Sequence, residues 1–136
     1  MTEAEKTIAG LVPVKLESGE YNLKFTNRSN QLIYEKTGKR MVEYLSNMHT
    51  EAIKKVDEVK KQKTEMGMIE AMTQVLTPEQ LAFIMYCGLL HNKKHKSVED
   101  VEDDMIVSQE FVYIGAIVLA VGKLLADYIT LEPSTN

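Results

Sequence analysis

Two stretches of this 136-residue chain are apolar on nearly every side, and they constrain its fold more than any other feature. Residues 81–90 read Leu-Ala-Phe-Ile-Met-Tyr-Cys-Gly-Leu-Leu without a charge. Residues 111–125 include Phe111, Val112, Tyr113, Ile114, Ile117, Val118, Leu119, Val121, Leu124 and Leu125. A helix that is apolar all round has to be enclosed or has to meet a partner. A domain of this length has room to enclose about one such helix. The chain is therefore expected to keep surplus apolar surface for association. The alternative is that the two helices cover each other. Ala116 and Ala120, and Gly122 and Ala126, lie one turn apart and permit close helix approach.

Local signals place the remaining elements. Val12, Val14 and Leu16 alternate with Pro13, Lys15 and Glu17, and after Ser18-Gly19 the residues Tyr21, Leu23 and Phe25 alternate with Asn22, Lys24 and Thr26. This period of two around a glycine predicts a β-hairpin with one buried face. Pro13 cannot donate to a ladder and belongs on an edge. From Ser29 the period is helical, with Leu32, Ile33 and Tyr34 facing inward and Gly38 closing the helix. A second helix from near Lys39 to about Gln62 carries its stripe on Met41, Val42, Leu45, Met48, Ala52, Val56 and Val59. A shorter apolar segment spans residues 66–76. Thr77-Pro78-Glu79-Gln80 combines a capping box with proline at the first helical position and opens the apolar helix. That helix is expected to end in the basic run His91 to Lys96. Ser97-Val98-Glu99-Asp100 starts another helix, and a last one runs from about Gln109 to Tyr128. The prediction is an α+β fold, predominantly α-helical, with an N-terminal β-hairpin packed on a small helical bundle. It forms a single domain over residues 1–136, ordered over about 11–128, with flexible ends at 1–10 and 131–136.

Charge and cysteine content narrow the function. A net charge of −4 does not favour nucleic acid as a partner. The single cysteine, Cys87, excludes an intrachain disulfide and fits a reducing compartment. Residues 1–6 carry acids where a signal peptide needs basic and then apolar residues. The longest uncharged apolar stretch, residues 111–122, is short of the roughly 20 residues of a membrane span, so no membrane partner is expected. Eight methionines suit an adaptable core or a surface that fits varied partners.

Candidate chemistry is sparse. Cys87, His91 and His95 stand at i, i+4 and i+8 and would share a face of one continuous helix, as zinc ligands could. A fourth ligand is missing, and Asn92-Lys93-Lys94 reads as a helix end, so Cys87 is assigned to the core, His91 and His95 to the helix terminus. Glu99, Asp100, Glu102, Asp103 and Asp104 lack the glycine of a calcium loop and fit the first turns of a helix instead. No nucleophile elbow, phosphate loop or zinc-protease motif occurs. The expectation is a binding protein, not an enzyme, with no cofactor and no metal. The candidate partner-facing residues are Met68, Met72, Met85, Leu89, Ile114 and Val118, each of which could equally serve the core.

The order of these pieces is familiar. Tyr21-Asn22-Leu23-Lys24-Phe25 leads into a helix ending Glu35-Lys36-Thr37-Gly38-Lys39; a helix with Met41, Val42 and Leu45 follows; an apolar helix ends Met85-Tyr86-Cys87-Gly88-Leu89-Leu90; Ser97 then precedes acids. This resembles the tail assembly chaperones of long-tailed, siphovirus-type bacteriophages, over roughly residues 16–128. Residues 48–76 depart from the family pattern, being longer and more charged. The resemblance implies a protein of the infected host's bacterial cytoplasm that is not part of the mature virion. It would bind and solubilise the helical tape measure protein, help recruit the tail tube protein, and form a homo-oligomer along its client. A frameshifted longer form of itself would be a further partner. Without the resemblance, the same helices suit a small adaptor or regulatory protein that binds one defined partner.

Overall fold

The alternating stretch folds into two antiparallel strands, β1 (Val12–Leu16) and β2 (Gly19–Leu23), in a computed structural model that describes residues 12–59 and 76–131. Val12 pairs with Leu23, Val14 with Tyr21 and Leu16 with Gly19, so the reversal falls on Glu17-Ser18. Gly19 follows at φ 151°, a backbone region open to glycine. Val12, Val14, Leu16 and Leu23 are buried, as one face of a half-covered hairpin requires. Both strands of a two-stranded sheet are edges, which accommodates Pro13.

Five α-helices follow among the described residues, α1 (Asn27–Thr37), α2 (Met41–Val59), α3 (Pro78–Leu89), α4 (Val98–Asp104) and α5 (Glu110–Leu131), of which α3 and α5 pack against the strands. The fold is thus α+β, predominantly helical, with the N-terminal hairpin packed on the helices.

Helix α1 begins before Ser29 because Thr26 and Ser29 form a reciprocal capping box. The Ser29 N–H donates to Thr26 Oγ1 at 3.4 Å and the Thr26 N–H to Ser29 Oγ at 2.9 Å. The hydroxyl of fully buried Ser29 also donates to the Cys87 carbonyl at 2.7 Å and so ties α1 to α3. Gly38 ends the helix at φ 73° with its N–H on the Tyr34 carbonyl. Tyr34 itself is 56% exposed, contrary to the inward position expected. Ile33 and Leu32 fill the inner face, and Tyr34, 100° further round, turns to water. The Asn30 side chain accepts the Met41 N–H at 2.8 Å and starts α2. Met41, Leu45, Met48 and Ala52 make the buried stripe of α2. The side chains of Val56 and Val59, and most of the expected 66–76 segment, lie outside the described residues, although Leu76 is buried. The expected flexible ends also lie outside them, apart from Leu131, which closes α5.

Helix α3 is the enclosed one. Thr77 Oγ1 accepts the Gln80 N–H at 3.1 Å and Gln80 Oε1 the Thr77 N–H at 2.9 Å, with Pro78 first in the helix. Eight of its twelve residues are buried, and it touches α1, β2, α4 and α5. Its approach to β2 is close enough to demand glycine: a Cβ on Gly88 would stand 2.8 Å from Leu23 Cδ2. The Lys24 N–H reaches the Gly88 carbonyl at 2.8 Å across the same contact.

Candidate functional site

The terminal helix α5 is enclosed on one side only. Tyr113, Ile114, Ile117, Ala120 and Val121 form its buried stripe against both strands, α2 and α3. Packing against α2 brings His49 Nε2 within 3.5 Å of a Cβ built on Gly122. The opposite stripe is bare: Phe111 is 39%, Val112 52% and Leu119 50% exposed. Among the described residues, nothing outside its own helix lies within 4 Å of a Cβ built on Gly115, between them. Over Val107–Tyr128 the segment is long and apolar enough to cross a membrane by length and composition, and 28% of its most apolar window is buried in the fold. The uncharged stretch of twelve residues ends at Lys123; a membrane-length window takes in Lys123 and a second charge, Glu110 or Asp127.

The residues expected to face a partner divide accordingly. Met85, Leu89 and Ile114 are 0% exposed and therefore build the core of the folded chain instead of offering it a surface. Val118 is half-buried beside them, and Met68 and Met72 lie outside the described residues. On a helix that is apolar all round, hydrophobicity does not say which side turns inward. Spacing offers a hint. Phe111, Gly115, Leu119, Gly122 and Ala126 recur at steps of three and four opposite the bulky stripe, and small residues dominate that row.

At the amino end of α5 the bare surface runs into a cleft of about 520 Å³. Its floor is made by Leu81 and Ala82 of α3, Met105, Ile106 and Tyr113. Glu79, Glu102 and Glu110 stand at its rim, with Val107, which is 89% exposed. Tyr113 fixes the floor: its hydroxyl donates to the Lys15 carbonyl at 2.6 Å and accepts the Ile106 N–H at 3.0 Å. Burial, with the nearby Asp104 and Glu17 charges, outweighs the Ile106 hydrogen bond and raises the phenol above its ordinary range.

Cys87, His91 and His95 do not come together. After α3, Leu90–Asn92 tightens to a 3₁₀ turn and Lys93 adopts φ 59°, which reverses the chain before His95. Burial pushes the Cys87 thiol up to about 12 against the opposing pull of Lys36, so it stays a neutral core group. His95 has a use the sequence did not reveal. Its Nε2 donates to Asp104 Oδ2 at 2.7 Å, and its ring meets Tyr21 edge-on with centroids 5.2 Å apart. Asp104 also accepts the Ser18 N–H at 2.8 Å and the Ser18 hydroxyl, while the Glu17 N–H bonds the Asp104 carbonyl. Asp104 thus stands between serine and histidine, and the two do not form a nucleophile–base pair. The cluster latches the hairpin turn to the end of α4. Burial raises the Asp104 carboxyl, but the Ser18 and His95 hydrogen bonds outweigh it and hold the group below its ordinary value.

No family model, curated protein or solved structure matches the chain. The surfaces themselves are therefore the basis for a functional reading.

Proposed function

We propose that this chain is a binding protein of the tail assembly chaperone kind, which holds a helical, apolar client in solution and carries no catalytic group of its own. The observation that supports this is the bare stripe of α5, with Phe111, Val112 and Leu119 at 39–52% exposure on a helix whose other side is closed core. Apolar side chains at helical spacing are what a helix-on-helix contact uses. The side chains that fold the chain and those left to bind are thus different sets on one element. The resemblance in the order of sequence pieces makes the client the tape measure protein and the later partner the tail tube protein. Several copies would line a client of that length.

The test is co-expression with the tape measure protein of the same genome, measured in the supernatant after ultracentrifugation. The expected result is a soluble tape measure protein that co-purifies with many copies of this chain, and loses them when Val112 and Leu119 are replaced by Asp. A tape measure protein that stays insoluble beside a soluble monomer of this chain overturns the reading. A one-to-one complex with some other protein would then favour the single-partner adaptor.

A further inference from the structure

The acid-rimmed cleft is a second surface, and its chemistry is more specific than that of the bare stripe. Glu79 and Glu110 lie in the first turns of α3 and α5, where the positive end of a helix accounts for an acid. Glu102 has no such account. It lies in the last turn of α4, where the helix dipole disfavours a carboxylate. Two other acids share that turn. Asp104 is committed to Ser18 and His95, and Asp103 lies with Lys94 and Lys96 around a separate polar hollow. Glu102 instead lines the cleft, where no lysine, arginine or histidine stands among the described residues. None of the three glutamates forms an ion pair with another described residue. The result is an apolar floor under three carboxylates, of a size that suits a few side chains.

We infer that this cleft is a docking site for a cationic amphipathic helix. Such a helix would seat an apolar side chain on Leu81, Ala82 and Tyr113, with Lys or Arg one turn to either side reaching Glu79, Glu102 and Glu110. This rests on the chaperone reading only in taking the segment to belong to the client. The chemistry of the cleft selects positive charge, which the bare stripe of α5 does not. Charge complementarity at a partly exposed rim adds selectivity and speed of encounter more than raw affinity. The floor supplies the anchor.

The probe is a fluorescein-labelled Leu/Lys amphipathic peptide titrated against the full chain, beside a Leu/Glu peptide of the same pattern. The Leu/Lys peptide should bind saturably, weaken with added salt, and shift the methyl resonances of Ala82 and Met105. The E79Q/E102Q/E110Q variant should bind it roughly tenfold more weakly. Should that variant melt earlier than the parent, E102Q alone carries the test, with a smaller loss of the same sign. Equal binding of the Leu/Glu peptide, unchanged affinity in the glutamine variants, shifts confined to the Leu119 methyls, or no binding would each overturn the proposal. Tape measure solubility is judged on Val112 and Leu119, so the two readings can fail separately.

Discussion

Asp104→Ala should be among the most costly single substitutions near the hairpin, and the structure says how the cost divides. The carboxylate takes two hydrogen bonds from Ser18 and one from His95. Ser18 is exposed, so water replaces its share, and each lost bond there costs under about 1 kcal/mol. His95 is different: its side chain is 3% exposed and its Nδ1 is already buried without a partner. With the carboxylate gone, both ring nitrogens are unsatisfied, at about 1–3 kcal/mol for the stranded N–H. Together these come to about 1–5 kcal/mol, a large part of the roughly 5–15 kcal/mol typical of a domain. Urea denaturation should show a lower midpoint at unchanged slope. The decisive comparison is His95→Phe in the Asp104→Ala background. It removes the stranded donor and keeps a ring against Tyr21, so it should recover about 1 kcal/mol or more. A loss below about 1 kcal/mol for Asp104→Ala, or no recovery in the double variant, would refute this account. The same bonds set a pH dependence. A carboxyl held below its ordinary value of 3.8 contributes stability that is complete above that value. The contribution is lost as pH falls through the lower folded value. The parent should therefore lose part of its advantage over Asp104→Ala only below about pH 4.

Gly88→Val should destabilise by about 1–3 kcal/mol in thermal unfolding, because its Cβ would stand 2.8 Å from Leu23 Cδ2 and Leu23 is fully buried with little room to yield. Tyr113→Phe removes the hydroxyl between Lys15 and Ile106 and should cost about 1–2 kcal/mol by denaturant titration. Gly115→Ala meets nothing within 4 Å among the described residues outside its own helix and should raise stability by up to about 1 kcal/mol through helix propensity, measured by calorimetry. Leu119→Asp should leave the unfolding midpoint within about 0.5 kcal/mol of the parent while abolishing co-purification of the tape measure protein.

Legibility followed the range of the interactions. The Thr77 to Gln80 capping box, Gly38 and the hairpin alternation are written in neighbouring residues, and each forms where it was expected. The Thr26 box escapes the sequence pattern because its third helical residue is Ser29 and not Glu or Gln, although a serine hydroxyl closes the same ring. The contact of His95 with Asp104 depends on the left-handed turn at Lys93, which a basic run does not announce. In the sequence the acids of residues 99–104 form one helix-start cluster; in the fold Asp100 caps, Asp104 latches and Glu102 rims a cleft. The choice of face on α5 was beyond hydrophobic counting, since both of its sides are apolar. Only the tertiary partners, β1, β2, α2 and α3, decide that Ile114 is core and Leu119 is surface.

That decision bears on how such a surface is kept. A helix with one apolar face could drop its outer stripe and fold as well, because the outer residues touch little of this chain. Gly115 among Phe111, Val112 and Leu119 keeps the exposed apolar area thin and leaves room for another backbone to come close, whereas Gly122 meets His49 of α2. Glu110 and Asp127 stand at its two ends, but Lys123 lies between them one turn beyond Leu119, so the charge bordering the stripe is mixed and selects neither sign. The cleft at the head of α5 differs in this, with Glu79, Glu102 and Glu110 around apolar ground and no basic side chain among its described lining. On the proposed reading the cleft would discourage uncontrolled contact by charge, and both surfaces would receive a helix by shape. On this reasoning, exchanging Glu79 and Glu102 for Lys should make the chain self-associate through its own acidic surfaces, seen as a concentration-dependent rise in its sedimentation coefficient.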